Sequence, residues 1–234
     1  MENISDALKR IDEKKKRLDT ARPLPPALEK NLQEWLTVNF IYETNALEGN
    51  SLSHSETAIV IEKGIAIGGK TLQEHIELID CARAINFIKA CARKNNIFVD
   101  DILTIHKIVS DKNDLSLNFD DFMWWLHSAQ DHPVIVAALA HYKLITIHSF
   151  IDGNACHSKL QRSMGRTARL LMNLLLLQYG YPFAIIQKEQ RSAYIDAIEH
   201  ARETGDFDQF YVVIIAAVEY SLDIYLDAIE QSNL

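Results

Sequence analysis

The sequence predicts an all-α protein, and three observations support that fold class. Apolar residues recur at intervals of three and four along nearly every segment, which is the spacing of one face of a helix. The 234 residues include only 8 glycines and 5 prolines, so turns are few and long helices are expected. No internal repeat, low-complexity tract or linker divides the chain. We therefore expect a single domain over residues 1–234.

The first helices are bounded by clear stop signals. A charged helix over residues 5–20 should end before Pro23, so that residues 1–25 form an N-terminal helix and a proline-rich turn. A second helix occupies most of residues 28–50, with Gly49 as its terminator. Ser53 or Ser55 is expected to cap a third helix that runs to Gly68 and Gly69. Further helices are expected over residues 71–92, 101–109 and 119–127.

The second half of the chain contains the most apolar segments. Residues 134–147 are apolar on every side, which is typical of a helix at the centre of a domain. A loop of small and polar residues follows, and the next helix is expected to open at about Arg166 and end near Tyr179. Residues 134–182 would then hold the core of the site. The last two helices are expected over residues 189–203 and 208–230.

Composition excludes several classes of partner. The net charge is -8 and the isoelectric point is near 5.6, whereas proteins that bind nucleic acid need a basic stripe. No apolar run reaches the length of a membrane span, and the N-terminal segment lacks an apolar signal core. Three cysteines without a CxxC spacing favour free thiols in a reducing compartment. We expect a cytoplasmic protein that binds neither nucleic acid nor membrane.

One stretch combines residue types that suit phosphoryl transfer. The apolar helix leads to His148, and the triplet Asp152, Gly153 and Asn154 follows, a turn whose amides can point at an anion. Downstream, Gly165 would open a helix that carries Arg166 and Arg169, and a helix start with two arginines favours phosphate. A histidine base, a carboxylate for a metal and a phosphate site are the parts that this chemistry needs.

Each of these features also has an ordinary structural interpretation. A histidine at the end of an apolar helix is usually a packed residue, and Asp-Gly-Asn is a common turn. Arginines on a helix are most often solvent-exposed charges. His141, seven residues before His148 and on the same helical face, is interpreted as a packed or hydrogen-bonded core residue.

The combined pattern resembles the Fic family, whose motif is HxFx(D/E)GNGRxxR. The segments HSFIDGN and GRTARLLMNLLLLQYGYPFAII match its two halves, AALAHYKLITIH precedes them, and RSAYIDAIEHARETGDFDQF follows. Upstream, TNALEG matches the family's inhibitory pattern (S/T)xxxE(G/N), which defines its class II. The resemblance covers about residues 28–230. It implies a protein adenylyltransferase that uses ATP and Mg²⁺ to modify a Ser, Thr or Tyr hydroxyl of a target protein or of itself.

The resemblance also implies a role for each site residue. His148 would deprotonate the target hydroxyl, and Asp152 would hold Mg²⁺ on the α- and β-phosphates. Residues that would line the anion-binding turn or bind the phosphates are Gly153, Asn154, Gly165, Arg166 and Arg169. Glu48 would pair with Arg169 and keep ATP out of its productive pose, because a carboxylate and a phosphate compete for the same arginine.

The chain departs from the family pattern in two places. Ten residues, 155–164, stand between Asn154 and Gly165, which are adjacent in the motif. If these ten residues extend the helix, Arg169 moves by roughly 15 Å from the turn, whereas a looped-out insertion preserves the site. The short stretch 110–118 leaves little room for the β-hairpin flap that holds targets in Fic proteins. We expect the flap to be missing or very short.

These departures leave two main hypotheses for function. The first is an adenylyltransferase autoinhibited by Glu48. The second is a catalytically impaired Fic-like scaffold that binds nucleotide or a protein partner without transfer. Transfer of another phosphate-containing group is a third, less favoured interpretation.

Overall fold

A computed structural model describes residues 3–94, 96–110, 119–152 and 159–232 of the chain, without the side chains of residues 147–152 and 159–162. The described residues form helices and no strand, which confirms the predicted all-α class. The helices are α1 (Ile4–Ala21), α2 (Pro26–Ala46), α3 (His54–Lys63), α4 (Leu72–Cys91), α5 (Val99–Ser110), α6 (Asp120–Ser128), α7 (Pro133–Asp152), α8 (Lys159–Gln178), α9 (Arg191–Thr204) and α10 (Asp208–Gln231), with a 3₁₀ turn at Lys188–Gln190 before α9.

Helix α8 lies at the centre of the fold. It packs against α7, α5 and α4, and it also contacts α2. Its apolar residues Leu170, Leu171, Met172 and Leu174 are fully buried. Helix α7 was predicted to be central, and its buried Val134, Ala137, Ala138 and Leu144 confirm this. The side chains that α8 directs at α2 are therefore held by a rigid, densely packed element.

The first and last helices lie side by side at the edge of this core. Arg10 Nε donates to Glu219 Oε1 at 2.7 Å, and Lys14 Nζ donates to the same oxygen at 2.7 Å. These bonds from α1 to α10 lower the pKa of the Glu219 carboxyl to about 2, against the opposing effect of its partial burial. Helix α1 is thus joined to the rest of the fold by charge as well as by its buried Ile11 and Leu18.

Capping boxes define the starts of α3 and α4, and Ser53, one of the two caps expected for α3, is the one used. Ser53 accepts from the amide of Glu56, whose carboxylate accepts from the amide of Ser53 in turn. Thr71 and Glu74 repeat this arrangement at α4. The predicted end of α3 was wrong, because Gly64 adopts a left-handed φ of 64° and stops the helix before Gly68 and Gly69 are reached.

The segment around the insertion differs from the prediction at both ends. Helix α7 does not stop before His148 but continues to Asp152. Helix α8 begins at Lys159, seven residues before Arg166, so residues 159–164 of the insertion are helical. Residues 153–158 lie outside the described residues, and so do residues 111–118, where the flap was expected to be missing or very short. The insertion therefore extends the helix in part, which moves the helix start about 9 Å from Gly165.

Candidate functional site

The C-terminal end of α2 presents a carboxylate to the core. Helix α2 ends at Ala46, and a turn through Leu47 and Glu48 closes at Gly49, whose φ of 92° lies in the left-handed region. The amide of Asn50 returns to the carbonyl of Asn45 at 3.0 Å. This closure is the usual end of a helix at glycine. Glu48 therefore lies just beyond the helix, in a short turn, and not inside the predicted inhibitory helix over residues 28–50.

Arg169 of α8 donates three hydrogen bonds to the last turns of α2 and to the turn that follows it. Its Nη2 donates to Glu48 Oε1 at 2.7 Å and to the carbonyl of Thr44 at 3.0 Å. Its Nε donates to Thr44 Oγ1 at 2.7 Å. The Arg169 residue is only 2% exposed. Thr44 and Glu48, the hydroxyl and acidic residues that the inhibitory pattern specifies, thus converge on one buried guanidinium.

The electrostatics of Arg169 depend on these partners. Burial lowers the pKa of the guanidinium, but the charge of Glu48 and a hydrogen bond with Tyr194 more than offset this effect, so its pKa lies above the usual value. An unpaired cation at such a depth would be strongly unfavourable. Arg169 therefore needs an anionic partner, and a carboxylate or a phosphate oxygen can supply it.

A buried histidine lies on the far side of Tyr194. The Tyr194 hydroxyl and His141 Nε2 are 2.8 Å apart, and His141 is fully buried, as predicted for a hydrogen-bonded core residue. Burial, together with the positive charge of Arg169, lowers the pKa of His141 to about 3. Its Nδ1 has no hydrogen-bond partner among the described residues, so a second proton would have no acceptor. The imidazole is neutral at physiological pH.

The neutral His141 should make the protein less stable in acid. The unfolded chain takes up a proton near pH 6.5 that the folded protein does not accept until about pH 3, so stability is full above 6.5 and falls as pH decreases. We expect His141→Gln to remove about 1 kcal/mol per pH unit of this slope below pH 6.5. Urea unfolding at several pH values measures it, and equal slopes in both proteins would contradict the assignment.

Arg166 does not share the site of Arg169. Its Nη2 donates to the carbonyl of Val109 at 3.1 Å, and its Nη1 lies 3.6 Å from Glu77 Oε1. The Arg166 residue is 4% exposed. It therefore joins α8 to the end of α5 and to α4. The expectation that Arg166 and Arg169 lie together as one phosphate clamp is not met in this arrangement.

Gly165 lies where Glu48 approaches α8. It is the seventh residue of α8, so its amide lies beyond the four free N–H groups at the helix start. The prediction that Gly165 opens the helix was therefore wrong. A Cβ added at this position would lie 2.5 Å from Glu48 Oε1 and 3.2 Å from Arg169 Nη1. The absence of a side chain at Gly165 is what allows Glu48 to reach Arg169.

The contact at Gly165 predicts a specific non-additivity. Gly→Ala inside a helix normally stabilises by about 0.5–1 kcal/mol, and we expect that gain for Gly165→Ala in a Glu48→Gly background. With Glu48 present, the new methyl group displaces the carboxylate from Arg169, so the gain disappears or reverses. A double-mutant cycle by urea unfolding gives the coupling, expected at about 1 kcal/mol or more. The same gain in both backgrounds would show that the two residues are not in contact.

The remaining predicted residues lie at the other side of the insertion. His148 and Asp152 belong to the final turns of α7, with Asp152 as its last residue, and their side chains are not described. Gly153 and Asn154 lie outside the described residues. The structure thus brings together Glu48, Gly165 and Arg169. The roles assigned to His148, Asp152, Gly153 and Asn154 therefore stay predictions.

Sequence reasoning missed two residues that hold the turn of Glu48. Glu43 Oε2 accepts from the backbone amide of Lys188 at 2.7 Å, and Arg191 Nε donates to the carbonyl of Leu47 at 2.8 Å. Each contact joins positions more than 140 residues apart in the chain, so no local pattern indicates it. The one available signal was the acidic Glu43 shortly after the apolar Phe40 and Ile41 of α2, and the structure shows this glutamate to be buried.

Two general features of the described residues bear on the function. No helix among them is long and apolar enough to cross a membrane. No group of three or more histidine, cysteine or acidic side chains among them could hold a metal ion.

Comparisons with known proteins match this geometry to one family. A family model described as Fic/DOC family matches residues 75–176. The protein adenylyltransferase Fic of Aedes aegypti is 35% identical over 246 residues, covering 93% of this chain and 47% of the relative. That of Drosophila ananassae is 36% identical over 247 residues, covering 94% and 47%. The chain spans about half the length of the curated relatives it matches.

Solved structures agree with the sequence matches. Fic-1 from C. elegans superposes with a TM-score of 0.82 at 28% identity, covering 96% of this chain and 71% of that one. A Fic-domain signalling protein from Bacteroides thetaiotaomicron superposes with a TM-score of 0.81 at 22% identity, which supports the fold alone. Together these matches show that the chain contains a Fic/DOC family domain, over residues 75–176, in a fold shared with solved Fic proteins.

Proposed function

We propose that the protein is an adenylyltransferase that transfers AMP from ATP to a hydroxyl side chain of a target protein, and that Glu48 restrains it. The observation that carries this proposal is the pairing of buried Arg169 with Glu48 at 2.7 Å. A fully buried arginine that holds a carboxylate from a surface turn is an anion site with an exchangeable occupant. The name of the curated relatives, protein adenylyltransferase, supports the reaction class.

The proposed reaction forms one bond at the α-phosphorus and breaks another. The target hydroxyl oxygen attacks the α-phosphorus of ATP, the bond between the α-phosphorus and the bridging oxygen to the β-phosphate breaks, and pyrophosphate leaves. His148 takes the hydroxyl proton on its imidazole as general base. Arg169 binds the terminal phosphates once Glu48 has withdrawn. Gly153 and Asn154 contribute turn amides, and Arg166 would join them only by leaving Val109 and Glu77.

Mg²⁺ fits the donors that the chain offers. This ion is usually held by one or two carboxylates together with substrate phosphates and water. Asp152 alone would therefore be a sufficient protein ligand. Its place as the last residue of α7 puts it four residues, or about one helical turn, beyond His148. When bound, the ion would neutralise charge on the α- and β-phosphates. The protein's own residues then orient the target hydroxyl and accept its proton.

The helical insertion favours a second candidate function. Because α8 begins at Lys159, its free amides lie about 9 Å from Gly165, and ten residues separate Asn154 from Gly165 along the chain. A Fic-like scaffold that binds ATP or a partner without transfer fits this arrangement. Calorimetry that shows tight ATP–Mg²⁺ binding by a protein without turnover would favour the scaffold over the enzyme.

The test of the proposal follows the α-phosphate. The protein is incubated with Mg²⁺ and ATP labelled on the α-phosphate, with and without a mixture of candidate target proteins, and label on protein is scored. ATP labelled on the γ-phosphate is the control, because AMP transfer leaves that label in pyrophosphate. Label that appears only from the α-phosphate supports adenylyl transfer. No transfer from wild type or from Glu48→Gly would contradict it, and competition by other nucleotides identifies the preferred donor.

A further inference from the structure

The inhibitory turn depends on a helix that is distant in sequence. Glu48 follows the end of α2, where the last carbonyls of a helix have no partners within the helix. Within the turn, the amide of Glu48 donates to the carbonyl of Asn45 at 3.0 Å. The other polar atom of the same peptide unit, the carbonyl of Leu47, points away from α2. Whatever binds that carbonyl therefore orients the backbone that carries the inhibitory carboxylate.

Arg191 supplies this partner. It is the first residue of α9, and its Nε donates to the Leu47 carbonyl at 2.8 Å. A cation at the start of its own helix is unfavourably placed in that helix dipole, whereas the same cation at the end of α2 is favourably placed. Its position is therefore explained by α2 and not by α9. The amide of Lys188, held by Glu43 at 2.7 Å, is a second point at which this segment is attached to α2.

We propose that Arg191 is a positioning residue for autoinhibition, which holds the Leu47–Glu48 peptide so that the Glu48 carboxylate stays on Arg169. This inference rests on the proposed function and deepens it. Glu48 Oε1 lies 2.7 Å from Arg169 Nη2, and a peptide that rotates freely would keep the two groups in contact only part of the time. Loss of the Arg191 bond would therefore raise the fraction of molecules whose Arg169 is open to phosphate.

Arg191 is also accessible, which Arg169 is not. The Arg191 side chain is exposed, whereas Arg169 lies in the core. A carboxylate on a partner protein could therefore draw Arg191 away from Leu47 without entering the core. Through its bond to Leu47, the exposed Arg191 thus affects the buried pair of Glu48 and Arg169.

The test combines two variants with a matched control on the same helix. Arg191→Ala removes the donor, and Arg191→Lys keeps the charge without the fixed guanidinium geometry. Arg202→Ala is the control, because Arg202 is exposed on α9 and pairs with Glu199 of the same helix. Hydrogen exchange of residues 44–50 reports the backbone of the turn directly, and transfer of label from the α-phosphate of ATP reports its consequence.

The expected result is faster exchange in residues 44–50 for Arg191→Ala and about fivefold more transfer, with a smaller effect for Arg191→Lys and none for Arg202→Ala. Fivefold corresponds to about 1 kcal/mol, at 1.4 kcal/mol per tenfold. In a Glu48→Gly background Arg191→Ala should add nothing, because the group that it positions is gone. Unchanged exchange in residues 44–50 overturns the inference, whatever the activity.

The two proposals fail in different ways. If Glu48→Gly transfers label but Arg191→Ala does not differ from wild type, the positioning role is overturned and the proposed function stands. If no variant transfers label, including Glu48→Gly, the proposed function is contradicted. The exchange measurement then still decides whether Arg191 holds the turn. A gain in transfer that persists in the Glu48→Gly background would show that Arg191 acts by another route and would also overturn the inference.

Discussion

Glu48→Gly is expected to raise the rate of AMP transfer by about 10- to 100-fold over wild type. The Glu48–Arg169 bond joins two charged groups, and such bonds contribute about 1.5–3 kcal/mol. ATP must displace this bond to place its phosphates on Arg169, so its removal returns that free energy to nucleotide binding at about 1.4 kcal/mol per tenfold. Initial rates of label transfer from ATP at several nucleotide concentrations measure the effect.

Two controls make the Glu48→Gly result specific. His148→Ala in the Glu48→Gly background should reduce transfer by about 10²- to 10⁴-fold, which is the usual contribution of a general base. Glu43→Gln changes a buried carboxyl on α2, the helix that precedes the turn of Glu48, and this carboxyl binds Lys188 and not Arg169. It should leave transfer closer to wild type than Glu48→Gly does. Equal activation by both changes would mean that general loosening of α2, and not release of Arg169, causes the gain.

Deletion of residues 155–164 is expected to increase transfer by about 10²-fold when it is made in the Glu48→Gly background. The deletion joins Asn154 directly to Gly165, removes the helical residues 159–164, and returns the free amides of α8 to the vicinity of Arg169. Loss of one donor to a reacting oxygen typically costs about 10²- to 10³-fold, so regaining several should be visible. Rates of label transfer and ATP affinity by calorimetry are the measurements.

A variant of equal length separates the two ways in which the insertion can act. Replacement of residues 155–164 by ten glycine and serine residues keeps the length and removes the helical tendency. Transfer by the deletion variant together with weak transfer by the Gly/Ser variant would show that the added length itself disables the site. If the parent already transfers label as fast as the deletion variant, the insertion does not separate the anion turn from Arg169, and the scaffold hypothesis loses its main support.

The predicted helices were mostly correct because their apolar spacing is local information. The ends of α1, α2, α4, α9 and α10 fall close to the prediction, since proline, glycine and capping residues act on the nearest turn. The end of α3 was misplaced because two glycine signals compete, and Gly64 is reached first. The start of α8 was misplaced because the family motif resumes at Gly165, whereas the insertion itself contains good helix-forming residues after Lys159.

Only those residues of the candidate site that match the family motif could be predicted from the sequence. Glu48 and Arg169 are 121 positions apart, and only the family resemblance related them before the structure placed them in contact. Arg166 belongs to the same motif, yet its guanidinium binds the Val109 carbonyl instead. Arg166 and Arg169 lie three positions apart on α8, so their side chains leave the helix in different directions. Arg166 reaches α5, and Arg169 reaches α2. Side-chain direction depends on which helices surround α8, which the motif does not contain.

The sequence by itself determined the all-α class, most helix boundaries and the resemblance to the Fic family, and from that resemblance it predicted which residues carry chemistry. These follow from short-range rules, since periodicity, capping and motif spacing all operate within one or two turns of a helix. Only the tertiary structure decided that Glu48 stands in a turn beyond α2, that Gly165 makes room for it, and that Arg191 holds its peptide. Those contacts join segments that are distant in the chain, and the packing of α2 against α8 and against the 3₁₀ turn before α9 creates them.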